Sequence, residues 1–159
     1  MTKTEVVYKK KEVIKKVQQA QLRRFLRGLA TPMKLREWIG LNAGELKVLL
    51  DSRMQPSMDW KNYGKHWQVD HIAPFWIFDL EDEKDLKLLW YPDNLMPLIG
   101  KDNNHKQGDL RFALRLFQKM THGGYIIEKL IERLEKEIKV QDKYEKAYLN
   151  GKYYNPLNG

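Results

Sequence analysis

Asp70-His71, Asn94 and Asn103-Asn104-His105-Lys106 are the residues whose types and order could do chemistry. Twenty-two residues separate His71 from Asn94, eight separate Asn94 from Asn103, and two separate Asn103 from Lys106. Asp70 and Asn103 offer one carboxylate and one amide oxygen. That hard, sparse set suits Mg²⁺, which keeps several waters and takes the rest of its shell from substrate phosphate. His71, neutral near physiological pH, can take a proton from an attacking water provided a partner fixes its ring. Asn94 could be that partner, through its side chain or by bracing the loop. Asn103 near a helix start would set metal and phosphate beside free backbone N–H groups. Lys106, three residues on, shares its helix face, whereas His105 points elsewhere, so Lys106 is the expected phosphate contact.

Each part has an ordinary reading too. An Asp-His pair can be a hydrogen-bonded surface pair, Asn94 after Pro92-Asp93 a turn residue, and Asn103-Asn104 a helix cap. It is their order and spacing together that points to one site.

That site needs elements to carry it. Trp67, Val69 and Ile72 suit a strand preceded by a turn at Asn62-Tyr63-Gly64, and Asn94-Leu95-Met96-Pro97-Leu98 suits a second, with Pro97 at an edge. Neighbours on a regular strand face opposite sides, so Asp70 and His71 serve one site only if the strand twists, bulges or ends there; Ala73-Pro74 offers an end. An acidic helix is expected from Glu81 to Trp90, with Asp79, Glu81, Asp82, Glu83 and Asp85 at a solvated start. Asn42-Ala43-Gly44-Glu45 predicts a capping box before a helix that Pro56-Ser57 ends. A helix beginning near Asp102 or Asn103 weakens at Gly108 and runs on through Phe117. After Thr121-His122-Gly123-Gly124, a last helix from about Tyr125 to Leu149 carries Ile127, Leu130, Ile131, Leu134 and Ile138 on a stripe packed against the fold, or pairing two copies as a homodimer.

The chain has 159 residues, 42% hydrophobic and 31% charged, with no long apolar run, so one catalytic centre at most and no membrane span are expected. Zero cysteines exclude disulfides, thiolate zinc sites and cysteine nucleophiles. The net charge of +8 lies mostly in residues 1–30, where nine Lys/Arg face two Glu; beyond them twenty face nineteen. Such an arm suits a polyanion, most simply nucleic acid. Val13, Val17, Ala20, Leu22, Phe25, Leu26 and Leu29 make it helical with one phase slip, and Arg23, Arg24 and Arg27 fall largely off the stripe as candidate DNA contacts. A helix packed on the body with solvated cations is the alternative.

Trp67-Gln68-Val69-Asp70-His71-Ile72-Ala73-Pro74, Asn94-Leu95-Met96-Pro97-Leu98 and Asn103-Asn104-His105-Lys106 resemble the HNH endonucleases of the His-Me finger (ββα-metal) superfamily, in the cysteine-free form common in bacteriophages. The upstream Met58-Asp59-Trp60-Lys61-Asn62-Tyr63-Gly64 is similar to a run that often precedes the motif. The resemblance covers about residues 58–108. It implies an α+β fold whose two-stranded ribbon and helix grip one divalent ion, and hydrolysis of DNA phosphodiesters to 5′-phosphate and 3′-hydroxyl ends. Asp70 and Asn103 would be metal ligands, His71 the general base, Asn94 the middle asparagine that positions it, and Lys106 a phosphate contact. Asn in place of His at the third position favours Mg²⁺ or Mn²⁺. The Cys-x-x-Cys zinc knuckle of many relatives is absent, so no zinc is expected and Trp60, Trp67, Phe75, Trp76, Phe78 and Trp90 must hold the finger by packing.

The domain reading is a basic helical arm at 1–32, a short helical segment at 33–57, an HNH nuclease core at 58–120 and a terminal helix and tail at 121–159. The partner is double-stranded DNA and the place the cytoplasm, that of a host if a phage encodes the chain, as in free-standing homing enzymes. A non-catalytic DNA-binding or packaging-associated protein with the same fold is the alternative. The enzymatic reading requires Asp70 and Asn103 to share an ion, and the His71 ring to be open to solvent.

Overall fold

Two helices open on the same device. In α1, Lys3–Leu26, the Thr2 side chain accepts from the Glu5 N–H while the Glu5 carboxylate accepts from the Thr2 N–H. In α3, Ala43–Asp51, Asn42 and Glu45 exchange the same pair of bonds at 2.8 and 2.9 Å. Each reciprocal pair satisfies two N–H groups that a helix start otherwise leaves open. Between them lies α2, Met33–Ile39, closed by Gly40 at φ +70, where a side chain would strain the backbone. The α3 helix ends well before Pro56, where Ser52 Oγ donates to the Leu49 carbonyl.

The computed structural model describes residues 1–100, 109–120 and 123–149, with side chains to 146. Asn103 and Lys106, with the helix start expected there, lie outside the described residues.

The α1 stripe is a correction to the sequence reading. Val13, Val17 and Leu29 are about half exposed or more, and the buried line is Gln18, Leu22, Phe25 and Leu26. Val13 is about two and a half turns from Leu22, hence across the helix from it. The basic arm is therefore a packed helix over its second half. Its first half also meets the body: Lys11 Nζ donates to the carbonyls of Trp76 and Phe78, Lys10 pairs with Glu81, and Lys15 lies over the Phe75 ring.

Strands β1, Trp67–His71, and β2, Leu95–Ile99, form a two-stranded antiparallel sheet in which Trp67 faces Ile99, Val69 faces Pro97 and His71 faces Leu95. Both strands are edges, so Pro97 costs no central ladder bond. The turn before β1 uses Gly64 at φ +85, whose N–H reaches the Trp67 carbonyl at 2.8 Å. Helix α4, Glu83–Leu89, lies between the strands in sequence and is capped by Asp82. Asp85, expected among solvated acids, is buried, with Oδ2 accepting from the Asp79 N–H at 2.7 Å. It closes the turn into α4.

Trp67, Phe78 and Trp90 are almost fully buried, and Trp60, Tyr63 and Trp67 meet ring to ring at 4.7 to 5.7 Å. Each such ring pair adds roughly 0.5–1.5 kcal/mol beyond its buried area.

The fold is α+β, with six helices and one two-stranded antiparallel sheet among the described residues. It divides into two compact units, Met1–Gly108 and Asp109–Gly159. The arm and segment 33–57 thus share a unit with the sheet. The second unit holds α5, Leu110–Gln118, capped by Asp109, and α6, Tyr125–Leu149. Leu110, Ala113 and Phe117 of α5 and Ile127, Leu130 and Leu134 of α6 are buried, while Ile131 and Ile138 are half-buried. No helix among the described residues is long and apolar enough to cross a membrane.

Candidate active site

Burial along β1 alternates, so Trp67, Val69 and His71 face the core while Gln68 and Asp70 do not. The expected conflict between Asp70 and His71 is therefore real, and it is resolved at the strand end. Asp70 Oδ1 folds back to accept from the His71 N–H at 2.8 Å and lies 3.9 Å from His71 Nδ1. A carboxylate at the rim and an imidazole on the inner face thereby come side by side. The imidazole itself is only 2% exposed, which contradicts the open ring that the enzymatic reading requires. The cause is its inner-face position, together with Trp90, whose ring meets it edge to face at a centroid distance of 4.7 Å and 83°.

Asn94 is wholly buried. Its Oδ1 accepts from the Ala73 N–H at 2.7 Å, and its Nδ2 donates to the Ala73 carbonyl at 3.3 Å and the Leu89 carbonyl at 2.9 Å. Its own carbonyl accepts from the Ile72 N–H at 2.8 Å. Of the two roles open to Asn94, these bonds make it a loop brace. It ties the segment after His71 to the start of β2 and the end of α4.

Two further residues, which sequence reasoning missed, support this frame. Arg53, just after α3, donates to the carbonyls of Pro92 and Leu95 and pairs with Asp93 at 3.2 Å, gripping the turn that presents Asn94. Gln18 of α1 accepts from Trp90 Nε1–H at 3.1 Å in the interior. Nothing in the sequence marks Arg53. Gln18 precedes Leu22 by one four-residue step, a signal that would have put it on the buried line.

The arm's arginines divide. Burial pushes the Tyr63 hydroxyl up to about 12, while the charges of Arg23 and Arg27 pull it down. Arg24 Nε instead donates to the Ala30 carbonyl.

Among the described residues, no group of three or more His, Cys, Asp or Glu side chains could hold a metal ion. The expected donor set has one carboxylate in that class, Asp70; its amide partner Asn103 lies outside the described residues. Asp70, a half-buried carboxylate with one oxygen already accepting from an N–H, fits a hard cation better than a soft one.

No family model and no solved structure matches the chain. Two curated relatives, both uncharacterized proteins of Acanthamoeba polyphaga mimivirus, are similar to it. One is 26% identical over 93 residues, covering 58% of this chain and 41% of the relative. The other is 28% identical over 81 residues, covering 48% and 36%. The chain thus spans about two-fifths of the length of these relatives.

Proposed function

We propose that the chain is a Mg²⁺-dependent HNH endonuclease acting on double-stranded DNA through a ββα-metal finger, with His71 as general base. The observation that carries this reading is the buried Asn94 carboxamide, which commits its acceptor and both donor bonds to the loop and helix beside a His–Asp pair. Asp70 and Asn103 would hold the ion, which when bound polarises the scissile phosphate and stabilises the leaving oxygen. His71 takes the proton of the attacking water at a ring nitrogen, and Asn94 keeps the ring's backbone from shifting as it does so. Lys106 and the arm cations Arg23, Arg24 and Arg27 bind the phosphate backbone. A ring 2% exposed meets no water, so on this reading engagement of the duplex uncovers it.

That burial also favours a second reading, a non-catalytic or packaging-associated DNA-binding protein in which His71 is a core residue. A supercoiled-plasmid assay separates the two. The nuclease reading expects nicking or linearisation with Mg²⁺ or Mn²⁺, none in EDTA, and a loss of about 10²–10⁴-fold in His71→Ala. Intact plasmid with either ion overturns it. DNA binding that persists in EDTA with no cleavage selects the second reading.

A further inference from the structure

We infer that Gln18 of the N-terminal helix is a positioning residue for His71, acting through the indole of Trp90; this rests on the nuclease reading above. Gln18 is the one polar side chain among the buried residues of α1, 8% exposed on a line otherwise made of Leu22, Phe25 and Leu26. A glutamine in such a place loses its water and is tolerated only when its polar atoms find partners. Its Oε1 accepts the single donor of an indole that is itself 1% exposed. Purely apolar packing would call for leucine there. The same indole meets the imidazole edge to face, at 4.7 Å and 83°. An indole packed across the imidazole at nearly a right angle limits the positions the ring can take. The Gln18 acceptor holds that indole by its Nε1–H, so the rotation of Trp90, and with it the room left to His71, is set from a helix 72 residues away in sequence. This gives α1 a task separate from phosphate binding, and one outside the span covered by the HNH resemblance.

The test uses the full chain with Mg²⁺ and plasmid under single-turnover conditions. Gln18→Leu is expected to lower the cleavage rate by about tenfold, the scale of a displaced catalytic group, with DNA affinity unchanged. Gln18→Glu, which restores an oxygen acceptor, is expected to recover most of it. Trp90→Phe, which keeps a ring and deletes the donor, should reproduce the loss, and the double variant should be no slower than either single one. Solvent exchange of the Trp90 Nε1–H, followed by NMR, should quicken in Gln18→Leu whether or not DNA is present. If Gln18→Leu does not fold, Trp90→Phe alone decides. Cleavage at the parental rate in these variants, with His71→Ala inactive beside them, overturns the positioning role and leaves the nuclease reading standing. A parent that leaves DNA intact overturns both.

Discussion

Replacing Asn94 tests the frame without assuming any activity. In Asn94→Ala, three hydrogen bonds vanish from a wholly buried position, leaving the Ala73 N–H and the carbonyls of Ala73 and Leu89 without that amide. Each of the three neutral bonds contributes a net ~1 kcal/mol and a stranded buried donor adds ~1–3, so the loss is about 4–6 kcal/mol. Against a total stability of roughly 5–15 kcal/mol this is severe, and it should lower the melting temperature by roughly 10–20 °C. Asn94→Asp separates the amide's acceptor from its donors. Its first oxygen can still accept from Ala73 N–H, but its second faces the Leu89 and Ala73 carbonyls, which offer no proton, and the carboxyl must therefore supply one. Its folded pKa then rises above the ordinary ~3.9, so the protonated form's stability is present below that value and is lost as pH rises toward the folded pKa, at ~1.4 kcal/mol per unit. Urea unfolding followed by tryptophan fluorescence, between about pH 5 and about pH 8, reads both effects. An Asn94→Ala within about 1 kcal/mol of the parent, or an Asn94→Asp no more pH-dependent than Asn94→Ala, would refute the brace.

Two other perturbations concern Tyr63 and the arginines whose charge acts on it. Because burial raises the Tyr63 hydroxyl to about 12, its stabilising share is intact below the unfolded value of ~10 and lost as pH climbs through the folded one. Relative to Tyr63→Phe, the parent should lose up to about 2–3 kcal/mol across that interval; parallel stability curves would contradict it. Arg23→Ala combined with Arg27→Ala should weaken binding to duplexes of any sequence and flatten the salt dependence by ~0.9 per arginine, measured by fluorescence anisotropy. An unaltered slope would remove α1 from the interface.

The local signals read from sequence were those that rest on a few adjacent residues. Asn42 with Glu45 made its capping box, Gly64 took a positive φ at the expected turn, and of Trp67, Val69 and Ile72 the first two fell on the inner face of a strand that ends one residue before the third. What was not legible depends on partners distant in the chain. Val13 and Val17 are apolar at helical spacing and still face outward, because the body against which α1 packs meets the face through Gln18 and Leu22. Asp85 belongs to an acidic run and is nonetheless buried, its Oδ2 accepting from a backbone N–H six residues before it. For the candidate site, the order Asp70-His71 and Asn94 was readable and the closeness of the three was an inference. The burial of His71 was not readable, since it comes from Trp90, a residue the sequence marks only as core.

The segments on either side of His71 are supported from a distance in the chain. The chain has no cysteines, and its loops are held from helices outside them. Gln18 reaches in from α1 to Trp90, Arg53 from the end of α3 to the Pro92–Leu95 turn, and Asn94 passes that restraint to Ala73. Arg53 and Asp93 are both partly buried, so their pairing is screened less than a surface bridge and adds to two charge-assisted bonds on backbone carbonyls. A frame of this kind restrains the segment around His71 through several separate side chains. The basic helix is thus a structural part of the unit that holds the sheet, through Gln18 on Trp90 and Lys11 on the carbonyls of Trp76 and Phe78.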